Sequence, residues 1–439
     1  MARHRRSTGT GPGRFKRVAV PSILAVAVAG GAGAWAGGLI SSSKPTPHSA
    51  VVITRHVPVA QQPVRATPKA VLAASSPWHT AWALSLDHPG LTDGTNLSCR
   101  IIAHVALSGS QVRFRLINYP STTPVTFSHL VVAVRTFGLD VDAGTQRVVT
   151  VHGSTTVTLP ANGDVTTDPV SLTVTRGQDI ALSIALARGD SAPWHYWSNQ
   201  TSGCTPGGAG DATTSASGLP YNQRTEDRWL SELQVLPAAP VPTLAVYGDS
   251  LTDGLFLPQD TMGRWTDQLQ AQTDGRLVAL NFGVAGDRIT GQAPAGQLPP
   301  RVATDVLAPE GVSAVMVEMG SNDIKAGASA SAVLGEIRLL AAKVAARHET
   351  FIVATVPGRG DGMTAEQELQ RQLLNQALRR YPIVADIDAA LTDPATAIIS
   401  AGYDVGDHIH PNPLGVAAMT QVIRAAVAKV PGALGSAAH

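Results

Sequence analysis

The first pattern along the chain is a two-residue alternation of apolar and polar positions between residues 77 and 236. The segments QVRFRL at 111–116, VSLTVT at 170–175 and DIALSIAL at 179–186 would each place their apolar side chains on one face of a strand. Gly, Pro, Asn and Asp separate such segments, as turns require. The pattern predicts an antiparallel β-sandwich at residues 77–236.

After the proline-rich boundary PAAPVP at 237–242, continuous apolar runs alternate with helical stretches. Strands that are apolar on both faces are typical of a parallel sheet covered by helices on both sides. We therefore predict an α/β domain at residues 243–432, with a capping box of Thr364 and Gln367 at one helix start. The predicted strands are TLAVYG, RLVALNF, VSAVMVEM, TFIVATV and PIVADI. The predicted helices lie around MGRWTDQLQAQ, RVATDVL, AVLGEIRLLAAKVAARH and AEQELQRQLLNQALRR, with a last helix from Pro413 to about Val430.

The N-terminus predicts export. Residues 1–17 are rich in Arg and Lys, and no charged residue occurs from Val18 to Ser43. Residues 1–40 are either a cleavable signal peptide, with a small-residue site at Ala34-Trp35-Ala36, or an uncleaved signal anchor. Residues 41–76 have the composition of a flexible tether. We expect an extracellular protein, either secreted or anchored to the outer face of the cytoplasmic membrane.

Composition limits the classes of partner. The 439-residue chain has a formal net charge of +1 and only 15% charged residues, so its composition does not suggest nucleic acid or another strongly charged partner. We expect a small or neutral substrate, and contact with a membrane only through an N-terminal anchor.

The two cysteines, Cys99 and Cys204, are predicted to form a disulfide, since an exported chain meets oxidising conditions. The alternative is two separate buried thiols. Their spacing fits no metal site, because CxxC and Cys/His clusters are absent from the sequence.

The segment YGDSLTDG at 247–254 comes directly after the apolar run TLAV and includes the last two residues of the first predicted strand. By itself it is a typical strand-to-helix turn in which Ser250 or Thr252 caps a helix. Ligands of parallel sheets, however, bind beyond the carboxyl ends of the strands. The loops at those ends carry NFGVAGDR, MGSNDI and YDVGDHIHPN, so polar side chains from four loops are expected to meet at this edge.

These loops contain the parts of a serine hydrolase. A serine hydroxyl becomes a good nucleophile when a neighbouring histidine accepts its proton, and His410 is the candidate base for Ser250. Asp407 lies three residues before His410 and can orient the ring. The candidate oxyanion donors are the backbone N–H groups of Ser250 and Gly286 and the side-chain amide of Asn322.

In this order, the residues resemble the four sequence blocks of the SGNH, or GDSL-type, esterases and lipases. Gly248-Asp249-Ser250-Leu251 matches the first block, Gly286 the second, Gly320-Ser321-Asn322-Asp323 the third, and Asp407-His408-Ile409-His410 the fourth. The segments RVATDVL, GDHIHPN and GSQVRFRLIN are similar to secreted actinobacterial-type enzymes that join a β-sandwich to this domain. The resemblance implies a three-layer α/β/α, flavodoxin-like fold. It also implies hydrolysis of carboxylic esters through an acyl-serine, without metal or cofactor.

Several alternatives remain open. The cluster Asp404, Asp407, His408 and His410 could instead hold a metal ion, although no further cluster completes a coordination sphere. The same acyl-serine could pass its acyl group to a sugar hydroxyl, which would make the protein an acyltransferase. A third alternative is a catalytically inactive carbohydrate-binding surface protein.

Other polar and aromatic residues receive supporting roles. Asp249, Asp253, Asp287 and Asp323 are interpreted as turn and capping residues that brace the loops, and His408 as a solvated or substrate-edge residue. Trp194 and Trp197 could stack on a sugar, although packing in the core or between domains is the favoured interpretation.

The loops beside Ser250 predict a shallow acyl site. KAGASASA and PGRGDGM offer little apolar surface against which to bury an acyl chain. The apolar stretch Leu255-Phe256-Leu257 could form a short wall, although packing under the first helix is the favoured role. We expect short acyl groups, from acetyl to butyryl, on an alcohol that is plausibly a sugar.

Overall fold

A computed structural model of the chain describes residues 76–433 except 87, 92–93, 189–191, 292–298 and 300. The predicted signal at 1–40 and the predicted tether at 41–76, apart from Ser76, lie outside the described residues. Within the described ranges, no helix combines the length and apolarity needed to cross a bilayer.

Residues 77–236, here called the β region, consist of short strands that pair in antiparallel fashion. One sheet has the strand order β1-β15-β4-β9, a larger one β13-β12-β3-β10-β5-β6 with β7 and β8 also paired to β5, and a small one β14-β11-β2. The strands are β1 (His79–Ala83), β2 (His88–Leu91), β3 (Leu97–His104), β4 (Val112–Ile117), β5 (Val125–Phe137), β6 (Asp140–Val141), β7 (Arg147–Val148), β8 (Val157–Leu159), β9 (Asp164–Thr166), β10 (Asp179–Arg188), β11 (Ala192–His195), β12 (Ser202–Cys204), β13 (Asn222–Arg224), β14 (Asp227–Arg228) and β15 (Leu230–Val235). A 3₁₀ turn occupies Ala143–Thr145.

Two of the three alternating segments form the predicted strands, β4 and β10, but the segment at 170–175 does not. Val170 bridges Val112 and Val174 bridges Gly109, both as isolated pairs. The five residues 170–174 on one side therefore face the four residues 109–112 on the other, and this mismatch interrupts the ladder. Val170 and Val174 are nevertheless buried. The two-residue period correctly identifies a buried face but not a continuous strand.

The predicted disulfide between Cys99 and Cys204 is present in the structure. The two cysteines face each other on the paired strands β3 and β12, and both are buried. The bond ties two neighbouring strands of the largest sheet.

Residues 243–432, here called the α/β region, contain a parallel sheet with the order β17-β16-β18-β19-β20. This is the 2-1-3-4-5 order of flavodoxin-like sheets. The strands are β16 (Thr243–Gly248), β17 (Val278–Gly283), β18 (Val312–Glu318), β19 (Thr350–Ala354) and β20 (Val384–Ala385), with a separate pair β21 (Thr392–Asp393) and β22 (Ile398–Ile399). The helices are α1 (Ser250–Asp253), α2 (Trp265–Gln272), α3 (Ser321–Lys325), α4 (Ala330–Ala346), α5 (Ala365–Leu378), α6 (Ile387–Leu391) and α7 (Pro413–Val427), with a π-helical turn at Val302–Val306.

Alternate side chains of the parallel strands enter two different clusters. Leu244 and Val246 of β16 lie in one cluster with Met419 of α7, whereas Ala245 and Tyr247 lie in the other with residues of α4 and α5. Because both sets are buried, the strands must be apolar throughout. Helix α5 begins with the predicted capping box of Thr364 and Gln367.

Candidate active site

The segment around Ser250 is both a strand end and a helix start. Strand β16 ends at Gly248, Asp249 caps α1 by accepting a hydrogen bond from the N–H of Leu251 at 3.0 Å, and Ser250 is the first residue of the helix. The short helix packs on the neighbouring strand at Gly283, where a Cβ would clash with the backbone of Asp253. The N–H of Ser250 has no acceptor within its own helix, since it belongs to the first turn. It therefore remains available to an incoming oxygen.

The structure brings Ser250, His410 and Asp407 together. Nε2 of His410 lies 2.9 Å from Oγ of Ser250, and Nδ1 lies 2.5 Å from Oδ2 of Asp407. With its proton on Nδ1, the imidazole donates to the carboxylate and accepts from the serine hydroxyl. Ser250 and His410 are both less than 10% exposed, which strengthens these contacts by excluding water.

Asp407 is held as an anion by its own loop. Partial burial opposes ionisation, but hydrogen bonds from the N–H groups of His410 and Ile409 and from the His410 ring outweigh it and hold the pKa of Asp407 below its usual value. Both N–H groups lie 2.9 Å from Oδ1. The carboxylate that faces the imidazole is therefore ionised at neutral pH.

Asn322 in the first turn of α3 and Gly286 in the loop after β17 lie in segments that are tied to the serine turn. The amide Nδ2 of Asn322 is 3.3 Å from Oδ2 of Asp249 and 3.2 Å from the carbonyl oxygen of Asp287. The amide thus touches the residue before Ser250 and the residue after Gly286. Gly286 has φ +79, a conformation that favours glycine. All the predicted oxyanion donors therefore belong to segments joined by Asn322.

Arg359 holds the opposite end of the Asn322 amide, and the sequence analysis missed it. Its guanidinium donates to Oδ1 of Asn322 at 3.2 Å and to Oγ of Ser321 at 3.0 Å, while Asp361 binds its other nitrogens. An arginine that donates to the amide oxygen fixes which end of the amide carries the N–H groups. The sequence feature that could have identified Arg359 as part of the site is its position in the loop after β19, at the carboxyl edge of the sheet.

The four aspartates that were interpreted from the sequence as turn and capping residues all bind neighbouring groups. Asp249 caps α1, Asp253 accepts from the N–H of Ala285 at 3.1 Å, and Asp323 accepts from the N–H and hydroxyl of Thr290. Asp287 forms a buried ion pair with Arg301.

Two buried carboxylates lie behind the serine turn. Burial raises the pKa of Asp249 to about 7, although the N–H of Leu251 and the charge of Arg359 act in the opposite direction. Burial and the repulsion of Asp249 also raise the pKa of Glu318 well above its usual range. Glu318 accepts a hydrogen bond from the hydroxyl of Thr252 at 2.8 Å. Because the pKa values of both Asp249 and Glu318 are raised, the pair retains a proton near neutral pH.

His408 and His410 have different surroundings. His408 is exposed, and its Nδ1 lies 2.7 Å from Asp404, whereas His410 is buried against Ser250. Among the described residues, no group of three or more His, Cys, Asp or Glu is arranged to hold a metal ion.

Phe256 departs from its favoured sequence interpretation. Leu257 is buried, but Phe256 is 54% exposed, and its ring lies edge-on to the His410 ring at a centroid distance of 5.2 Å. Its φ of +69 is rare for an aromatic residue. Phe256 therefore stands at the mouth of the site instead of packing under α1.

Comparison with known proteins places the site in a wider context. Residues 246–418 match the model of the GDSL-like lipase/acylhydrolase family. No match was found among curated proteins.

Many solved structures resemble part of the chain, and three of them illustrate the likeness. A member of the lipolytic G-D-S-L family from Veillonella parvula has 18% identity over 43% of this chain and 100% of its own, with a TM-score of 0.36. A carbohydrate acetylesterase family member from Sinorhizobium meliloti has 18% identity over 44% of this chain and 100% of its own, with a TM-score of 0.34. A mutant acetyl-xylooligosaccharide esterase from Geobacillus has 15% identity over 42% of this chain and 93% of its own, with a TM-score of 0.34.

Proposed function

We propose that residues 246–418, which match the model of the GDSL-like lipase/acylhydrolase family, belong to an exported serine esterase that cleaves carboxylic esters through an acyl-serine. The observation that carries the proposal is the continuous contact from Ser250 Oγ through the His410 ring to the Asp407 carboxylate.

In the first half of the reaction, Ser250 Oγ attacks the ester carbonyl carbon while Nε2 of His410 takes the hydroxyl proton. Asp407 stabilises the resulting imidazolium, because its carboxylate remains charged next to Nδ1. The tetrahedral intermediate then collapses, the carbon–oxygen bond to the alcohol breaks, and the alcohol leaves with the proton from His410. The product at this stage is an acyl ester of Ser250.

In the second half, water attacks the acyl-serine and gives its proton to His410. Collapse of this intermediate releases the carboxylic acid and returns the proton to Ser250. In both halves the carbonyl oxygen becomes an anion, for which the donors are the N–H groups of Ser250 and Gly286 and the Asn322 amide. The two contacts of that amide are long, at 3.2 and 3.3 Å, and an oxyanion would compete with Asp249 and Asp287 for its hydrogens.

The substrate that we propose has a short acyl group. The loops beyond β18 and β19 are joined by polar contacts, since Lys325 donates to the carbonyl oxygen of Asp361 at 2.8 Å and Asp361 binds Arg359. A rim of this kind offers little surface for an alkyl chain. Phe256 is the large apolar side chain beside His410, and it forms one short wall. Most of the binding surface would then contact the alcohol, for which we propose a sugar.

The proposal is tested by combining turnover with active-site labelling. The purified protein should hydrolyse p-nitrophenyl acetate and release acetate from acetylated polysaccharides, and a fluorophosphonate probe should label the wild type but not Ser250→Ala. Adding sugar acceptors distinguishes hydrolysis from acyl transfer, because a transferase would produce acylated sugar at the expense of free acid. A folded protein that neither turns over esters nor reacts with the probe would refute the proposal.

A further inference from the structure

A buried histidine of the β region contacts the helix that begins with Ser250. His195 is the last residue of β11, and its Nε2 lies 3.0 Å from Oδ1 of Asp253, the last residue of α1. The side chains are only 1% and 2% exposed. A fully buried contact between the two regions thus lies three residues from the candidate nucleophile.

The same carboxylate reaches the oxyanion loop. Oδ2 of Asp253 accepts a hydrogen bond from the N–H of Ala285 at 3.1 Å, and Ala285 immediately precedes Gly286. One oxygen of Asp253 therefore faces the β region and the other holds the loop that supplies a predicted oxyanion donor. His195, Asp253 and Ala285 form a continuous chain of contacts from the β region to Gly286.

Removal of one partner from this chain should disturb the others. A buried carboxylate that loses a hydrogen-bond donor must rotate or admit water, because an unsatisfied buried charge is costly. Rotation of Asp253 would release the Ala285 N–H and with it the peptide that leads to Gly286. Oxyanion donors act because they are held in place before the reaction, and small displacements of such groups lower rates strongly.

We propose that His195 is a positioning residue for the oxyanion hole, acting through Asp253 on the Ala285–Gly286 segment. The inference rests on the proposed esterase function. It gives the β region an indirect role in catalysis, because a side chain of that region holds part of the catalytic machinery in place.

The test compares two substitutions at His195. His195→Leu removes the hydrogen bond, and His195→Gln keeps a donor near the position of Nε2. For His195→Leu we expect kcat to fall roughly 10-fold or more with KM changed little, whereas His195→Gln should recover most of the rate. Asn322→Ala, which removes a donor directly, provides a reference of about 10² to 10³ in kcat. If His195→Leu does not fold, His195→Asn replaces it, since its side chain is too short to reach Asp253 but can bind water.

Affinity for a boronic acid separates positioning from a purely structural effect. The boronate forms a tetrahedral adduct with Ser250 that resembles the intermediate, so its affinity should fall by the same factor as kcat/KM. The pH midpoint of kcat/KM should stay that of the wild type, because the base is unchanged. A control is Thr80→Val, which removes the hydrogen bond that Thr80 accepts from the N–H of Glu310 at 3.1 Å, before the start of β18, and the buried one that it donates to Glu232 at 2.8 Å. It should leave kcat unchanged even if the melting temperature falls.

Two results would overturn the inference. One is a wild-type kcat in folded His195→Leu. The other is a lower kcat that His195→Gln does not restore and that leaves boronate affinity unchanged. Failure of the esterase proposal would look different, since the wild-type protein itself would then show neither turnover nor boronate binding.

Discussion

The two regions of the molecule use buried polar residues in different ways. In the β region, Arg100 is fully buried and donates to Ser183 at 2.8 Å and to the carbonyl oxygen of Ser215 at 2.7 Å. In the α/β region, the buried polar residues Ser250, Asp249 and His410 all lie at one edge of the sheet, where the parallel strands end. Antiparallel strands distribute their ends over two edges, whereas parallel strands bring all their carboxyl ends to the same one.

Some buried polar residues stabilise the packing of the fold, whereas others lie where they can take part in a reaction. Arg100 has its hydrogen bonds satisfied inside the β region, so it contributes to stability and specificity of packing. Ser250 and His410 bond to each other and face the mouth of the site, where a substrate can reach them. His195 differs from Arg100, because its partner Asp253 belongs to the nucleophile helix.

The largest expected effect is on the polar edge of the α/β region. Ser250→Ala and His410→Ala should each remove nearly all esterase activity, and the double variant should be little worse, since the two residues act as a unit. The measurement is kcat/KM for p-nitrophenyl acetate. His408→Ala is the matched control, because His408 is a neighbouring but exposed histidine that bonds Asp404. Near-normal turnover in Ser250→Ala would contradict the assignment.

The next effect concerns the independence of the two regions. Replacing Cys99 and Cys204 by serine opens a loop with a sequence separation of 105, and the chain-entropy argument predicts a loss of up to about 4–5 kcal/mol of unfolding free energy. Melting is followed by circular dichroism and activity together. Because His195 belongs to the destabilised region, esterase activity should disappear at the same lowered temperature. Activity that outlasts unfolding of the β region would show that the regions work independently.

A smaller effect is the pH dependence of the unfolding free energy that the buried carboxyl group of Asp227 produces. Burial raises the pKa of Asp227 in the β region to about 6, although Ser202, Ser198 and the charge of His195 act in the opposite direction and Glu226 acts in the same direction. The native state therefore binds a proton that the unfolded state has released, and this stabilising contribution is lost as pH rises from about 4 to about 6.

Asp227→Asn should remove that dependence. The unfolding free energy of the wild type, measured relative to the variant in urea, should decline across this interval by at most about 3 kcal/mol. A difference between the two proteins that is flat or rises with pH would contradict the direction assigned to Asp227.

The smallest effect concerns the mouth of the site. The rate constants kcat/KM for p-nitrophenyl esters of rising chain length should peak between acetyl and butyryl, and Phe256→Ala should move the peak by a few carbons or flatten it, as a wall worth roughly 1 kcal/mol is removed. Phe256→Leu is the control, since it retains an apolar side chain. A wild-type maximum at eight carbons or longer would refute the shallow site.

The features that could be predicted from the sequence each leave a pattern in a short stretch of the chain. The strands β16 to β19 follow from continuous apolar runs, because a sheet that is buried on both faces needs them. Ser250, His410 and Asp407 could be brought together because the strand-to-helix turn of Ser250 and the loop of Asp407 and His410 lie at the same edge of the sheet. Helices α1 and α3 have four and five residues, too few for a helical period to be visible.

The features that were missed depend on distant residues or on backbone conformation. His195 and Asp253 are 58 positions apart, and no local pattern links them. The exposure of Phe256 depends on its positive φ, which apolar patterning does not reveal. The sequence analysis includes Arg359 only as part of a polar loop, although this loop lies at the carboxyl edge of the sheet, where Arg359 can contact Asn322. The domain boundaries and the roles of the catalytic residues stay predictions.

The central claim, that Ser250 carries the acyl group, is tested most directly by intercepting the acyl-enzyme. The protein is mixed with p-nitrophenyl acetate, quenched in acid on the millisecond scale, digested and analysed by mass spectrometry. The account predicts a burst of p-nitrophenol and an acetyl group on the peptide that contains Ser250, absent from Ser250→Ala. Steady turnover without a burst, with no acetylated Ser250 peptide and with activity retained in Ser250→Ala, would contradict it.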